Sequence, residues 1–91
     1  MALMMTRIYV GDFDAWKSSF DKDLPRARAD ATGYGVYRSL DDPGEVFVQV
    51  EFASPDDART AREKLRSSGV LDRFARVDGP ALVEEVESVR R

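Results

Sequence analysis

Gly33-Tyr34-Gly35-Val36-Tyr37-Arg38-Ser39-Leu40-Asp41-Asp42-Pro43-Gly44-Glu45-Val46-Phe47-Val48-Gln49-Val50-Glu51-Phe52 is the stretch that decides the fold. Its second half alternates: Val46, Val48, Val50 and Phe52 fall on one side of an extended chain, and Phe47, Gln49 and Glu51 on the other. A period of two is the signature of a β-strand, here over Glu45 to Phe52. Tyr34, Val36 and Tyr37 carry a second strand that runs from about Gly33 to about Leu40. Between the two lies Asp41-Asp42-Pro43-Gly44. Pro43 presets its own φ and Gly44 tolerates the positive φ of a type II turn. Strands joined by so short a turn pair as an antiparallel hairpin.

Working towards the N-terminus, Phe13, Trp16 and Phe20 recur at three and four residues with Lys17, Asp21 and Lys22 between them. This is an amphipathic helix, for which Asp12 is the N-cap and to which Leu24 adds a further apolar turn. Pro25 interrupts it, and Pro25 to Ala31 reads as a second short helical piece or a helical tail. Before Gly11-Asp12, the segment Thr6 to Val10, with a start as early as Met4, reads as a first strand. Towards the C-terminus, Ser54-Pro55-Asp56-Asp57 announces another helix: a capping Ser, a Pro at the first position and acids in the first turn. Its buried stripe is Ala58, Ala61 and Leu65, small enough to lie close against a sheet, and Gly69 stops it. Val70 to Val77 permits a short helix, Gly79-Pro80 reads as a break, and Ala81 to Val89 as a last strand.

The order strand, helix, strand, strand, helix, strand is the ferredoxin-like βαββαβ arrangement: one antiparallel four-stranded sheet with both helices on one face. The 91 residues make one domain, 1–91. A chain of this length buries only about 60–65% of the surface that its unfolded form exposes, so self-association is a ready supplement to a thin core. The hairpin points the same way. One face of its strands packs on helices, yet the other carries Phe47, Gln49 and Tyr37, which is no ordinary solvated surface. That face covers either a partner chain or a ligand, and a homodimer, which uses the same patch twice, is the simplest answer.

Composition removes several functions. Without cysteine there is no thiolate chemistry, and without histidine the commonest general base and metal ligand is missing. Fourteen cations are interspersed with 17 acids for a net charge of −3, which is no nucleic-acid footprint. The apolar opening Met1 to Met5 is cut short by Arg7, too early for a signal peptide or a membrane span, so a soluble cytoplasmic protein is expected. Gly33-Tyr34-Gly35 precedes a strand and so makes no phosphate cradle. Glu84, Glu85 and Glu87 split across two strand faces, and no metal site is expected. Arg26 and Arg28 beside Asp30 read as a solvated charged face.

The segments Asp12-Phe13-Asp14-Ala15-Trp16-Lys17, Thr32-Gly33-Tyr34-Gly35-Val36-Tyr37-Arg38, Asp41-Asp42-Pro43-Gly44-Glu45-Val46 and Glu51-Phe52 through Ser54 to Ala58 together resemble the dimeric α+β barrel superfamily. Within it, the chain is similar to small proteins related to antibiotic-biosynthesis monooxygenases, over roughly residues 6 to 68. The resemblance implies two ferredoxin-like subunits whose sheets face each other, with a pocket in each between helices and sheet. It implies no cofactor. Some relatives oxidise polycyclic phenols with O₂ alone, using Asn, Trp, Tyr and Arg side chains; others degrade haem and hold its iron through His. This chain has neither Asn nor His, so the haem route of those relatives is excluded and the oxygenase set is incomplete.

The candidates for chemistry are few. Trp16 walls a pocket and offers its indole N–H, or simply packs in the core. Phe20, one turn on, walls the same pocket. Tyr34 and Tyr37 point to opposite faces of one strand, as ligand contacts or as core and interface residues. Arg38 shares the parity of Tyr34 and either binds an anion or pairs with Asp41 or Asp42. Gln49 either lines a cavity or bonds its symmetry mate across a dimer. Three readings follow. The first is a dimeric small-molecule-binding protein with an aromatic ligand and no assigned catalysis. The second is a cofactor-independent monooxygenase or cyclase acting on an aromatic or polyketide-like substrate, with Tyr34 as base, Arg38 as anion stabiliser and Trp16 as orienting donor. The third, an interaction module, expects no pocket larger than a few waters beneath the helices, and a cavity of roughly 300 Å³ or more lined by Trp16 and a Tyr argues against it.

Overall fold

The alternation in the hairpin translates directly into burial. In the computed structural model, which describes residues 1–91, strand β3 spans Glu45–Phe52, and Val46 and Phe52 are both fully buried. Strand β1 is Ala2–Tyr9, helix α1 Phe13–Lys22, strand β2 Gly33–Arg38, helix α2 Pro55–Ser68 and strand β4 Val77–Glu84. The sheet order is β2-β3-β1-β4 with every pair antiparallel. Trp16 of α1 and Ala58 and Ala61 of α2 cluster with Met4, Val46, Val48, Val50 and Phe52, so both helices cover one face of the sheet. This is the ferredoxin-like βαββαβ fold expected from the hydrophobic periods.

The caps are where the sequence places them. The Asp12 carboxylate accepts from Ala15 N–H at 3.1 Å, and the Ser54 hydroxyl from Asp57 N–H at 3.2 Å. Pro55 opens α2, and Gly69 closes it in the left-handed conformation with φ 72°. Each N-cap satisfies one of the donors that a helix start leaves free.

Several expectations give way to local geometry. α1 stops at Lys22, because Asp23 adopts φ 43°. Its carboxylate then accepts from the N–H groups of Ala27 and Arg28, both at 3.1 Å. This competing side-chain acceptor holds 24–30 as turns in place of a second helical piece, and Leu24 is exposed. β2 ends at Arg38, two residues before Leu40, because the Ser39 hydroxyl accepts from Asp41 and Asp42 N–H and starts the loop early. Gly44 is not in the positive-φ region of a type II turn. It is favoured for a different reason: the ring of Tyr9 lies 3.1 Å from where a Cβ would sit and would have to give way to one.

The last strand departs most. Val70–Arg73 forms only a 3₁₀ turn. Gly79-Pro80, joined by a cis peptide bond, lies inside β4 and does not end it. Arg7 pairs with Asp78 while Met5 pairs with Ala81, so three steps on β4 match two on β1. That extra residue is a bulge, and Gly79 suits it with φ 96° and only 2.6 Å from its Cβ position to the Met5 carbonyl oxygen. The bulge lets both Val77 and Leu82 face the helices, opposite Ile8 and Met4. The strand ends at Glu84, leaving Val86 and Val89 exposed beyond it.

Candidate functional site

Between α1, the 3₁₀ turn and the covered face of the sheet lies a cavity of about 330 Å³. Met4, Ile8, Val48 and Val50 make its floor, and Trp16 and Phe20 one wall. The small residues of α2 bring that helix down onto the sheet, whereas the larger ring system of α1 keeps its own helix off. The volume is of the size that argues against an interaction module and Trp16 lines it, but no Tyr does.

Four rings form a ladder along the α1 side. Phe13 and Trp16 have centroids 5.9 Å apart, Trp16 and Phe20 4.8 Å, and Phe20 and Tyr34 5.8 Å with an edge-on geometry. Helical spacing supplies the first three rungs and β2 supplies the fourth. An arginine closes each end. Arg38 lies 4.8 Å over the Phe13 ring, and Arg28 lies 3.6 Å over Phe20 and 4.8 Å over Tyr34. Such cation–π contacts contribute about 0.5–2 kcal/mol, more as water is excluded.

Arg28 corrects the sequence reading. Expected on a solvated face, its side chain is only 10% exposed. It is held by the Phe20 carbonyl oxygen, which accepts from its guanidinium, and by Asp23 at 3.7 Å. The same turn of backbone that ends α1 therefore folds Arg28 inward onto the rings, and it lines the cavity. An aspartate poised to take two N–H groups four and five residues on was the available signal. Thr6 is a second residue that the charge and motif pattern does not single out. It is the one polar side chain among the chain's buried residues, and it too lines the cavity. Its parity with Met4 and Ile8 on β1 was the sign of it.

Of the residues singled out from sequence, Trp16 and Phe20 meet in the cavity wall. Tyr34 packs outside Phe20 and is half exposed, and the cation against its ring is Arg28. Arg38, four residues along the strand and so roughly 13 Å away, rests on Phe13 and pairs with neither Asp41 nor Asp42. Tyr37 and Gln49 lie on the opposite face of the sheet. There Gln49 sits between Met5 and Gly35, and Tyr37 opposite Phe47 with its ring across Gly35. That uncovered face also carries exposed Met5, Tyr9 and Val83. Arg7 crosses it, paired with Glu45 at 2.7 Å and Asp78 at 3.6 Å, and the hydrogen bond and charge of Glu45 raise its pKa above the ordinary arginine value.

The chain is structurally similar to antibiotic-biosynthesis-monooxygenase-like proteins. SnoaB, a cofactor-independent oxygenase from Streptomyces nogalater, superposes with a TM-score of 0.71 at 14% identity, covering 99% of this chain and 97% of that one. Rv0793 from Mycobacterium tuberculosis gives 0.69 at 16% identity, covering 98% of each chain. A structure described as an antibiotic biosynthesis monooxygenase gives 0.62 at 13% identity, with 96% of this chain and all of that one covered. At such identities the likeness is one of fold. No family model matches the chain, nor does any curated protein. No helix is long and apolar enough to cross a membrane.

Proposed function

We propose that this chain is a homodimeric small-molecule-binding protein of the antibiotic-biosynthesis-monooxygenase-like group, whose ligand is a small aromatic compound. The observation that carries this reading is the cavity of about 330 Å³, apolar on floor and wall and bounded by Trp16, Phe20 and Arg28. Flat rings stack on such a wall, and a few polar groups orient what enters. Dimerisation through the uncovered sheet face is supported by Phe47, Met5, Tyr9, Tyr37 and Val83, all exposed on that one side. Gln49 at its middle has a ready partner in the Gln49 of a second copy. Native mass spectrometry of the purified protein under gentle conditions tests both halves. The expected species has twice the chain mass of 10.2 kDa and binds an added aromatic compound; a bare monomer that takes up none overturns the reading.

A second reading, a cofactor-independent monooxygenase or cyclase, is favoured by the indole N–H of Trp16, which makes no hydrogen bond within the chain, is not sealed in the core and belongs to a residue lining the cavity. On this reading the substrate supplies the electrons as a stabilised carbanion, and the oxygenase named among the structural neighbours is the precedent. Trp16 orients the substrate, Tyr34 is the base and Arg38 the anion stabiliser. The ladder sets Tyr34 and Arg38 at its two ends, and Arg28 supplies the cation nearest to Tyr34.

A further inference from the structure

Thr6 sits near the middle of β1, opposite Val48, in the helix-facing row with Met4 and Ile8. It is 8% exposed and the only polar or charged side chain among the buried residues. Its neighbours on that face, Val46, Val48 and Val50, are all valine. A valine at position 6 would fill the same volume without a hydroxyl to satisfy. The hydroxyl has no hydrogen-bond partner in the chain, yet no polar side-chain atom is both sealed from the surface and unpartnered. The Thr6 oxygen therefore opens on the cavity that the residue lines, and the unpartnered Trp16 indole N–H does the same. Of the other polar groups on the cavity wall, Asp12 caps α1, Asp23 holds the following turn and Arg28 is taken up by Phe20 and Asp23, while Ser19 and Arg73 are exposed to solvent.

We propose that Thr6 is a specificity-determining residue of this cavity, and that its hydroxyl, together with the Trp16 N–H, selects ligands that carry an oxygen acceptor over hydrocarbons of the same shape. The inference rests on the small-molecule-binding reading and deepens it. Indole N–H only donates, whereas a threonine hydroxyl donates or accepts, so a ketone or hydroxyl oxygen meets both. In the free protein, solvent entering the cavity hydrates the two groups. A hydrocarbon ligand removes that hydration and returns nothing, while an oxygen-bearing ligand restores the hydrogen bonds. Discrimination comes from the group left unpaired in the wrong complex.

The test uses naphthalene and 1-naphthol as matched probes and ¹⁵N-labelled protein. The chain has a single Trp, so one indole N–H resonance reports the site. 1-Naphthol is expected to bind at least about tenfold tighter than naphthalene and to shift that resonance, as hydrogen-bond discrimination requires. Thr6→Val should reduce the preference to about threefold or less while naphthalene binding is kept or improved, and Thr6→Ser should retain the preference. Equal binding of the two probes, or a preference untouched by Thr6→Val, overturns the proposal and leaves the binding reading standing. Binding of neither probe overturns both.

Discussion

The two faces of the sheet are built from the same four strands and differ in what closes them. The helix-facing side carries Val46, Val48, Val50 and Phe52 with Met4 and Ile8, all buried by the chain's own helices. The other side carries Phe47, Tyr37, Met5 and Tyr9, of similar apolar character but exposed, with Arg7 and Glu45 paired across them. The covered face holds the monomer together and encloses the cavity. The uncovered face buries Leu3 but leaves its other large apolar side chains exposed, and it is the face proposed to meet a second copy. Apolar content therefore does not distinguish the covered from the uncovered face in this chain; the side on which the helices land does.

The contrast is sharpest for a pair of phenylalanines on β3. Phe52→Ala empties a fully buried site and should cost about 3–5 kcal/mol of unfolding free energy. Urea denaturation measures it, and a loss below about 1 kcal/mol would break the distinction between the faces. Phe47→Glu, on the other face, should leave the monomer folded while placing an unpaired charge in the proposed interface. The dimer dissociation constant, measured by sedimentation, is expected to rise more than about a hundredfold, roughly 2.7 kcal/mol. If it stays unchanged, the second copy does not use this face. The smallest effect concerns the enzymatic reading. Tyr34→Phe should lower oxygen uptake with an acidic phenol at least about tenfold, about 1.4 kcal/mol of barrier. Unchanged turnover removes Tyr34 from that role.

Much of this was legible because it is local. Asp12 and Ser54 cap the helices that follow them, and Trp16 and Phe20 share a wall because helical spacing stacks residues four apart. The misread parts depend on groups that compete with the local pattern. The Asp23 carboxylate captures two N–H groups and turns Arg28 inward, against a charge pattern that reads as solvated. Gly79-Pro80, ordinarily punctuation, becomes a bulge because β1 pairs on both sides of it.

The sequence by itself determined the element order, the parity of β3, the helix starts and the stop of α2 at Gly69. These follow from backbone periodicity and from side chains bonding to backbone a few residues away. Only the tertiary structure decided that Arg28 and not Arg38 meets Tyr34, that the bulge brings Val77 and Leu82 onto one face, and that Thr6 lines a cavity. The bulge and the cavity join segments far apart in the chain, and the Arg28 contact depends on how the turn after α1 brings that side chain onto rings from α1 and β2.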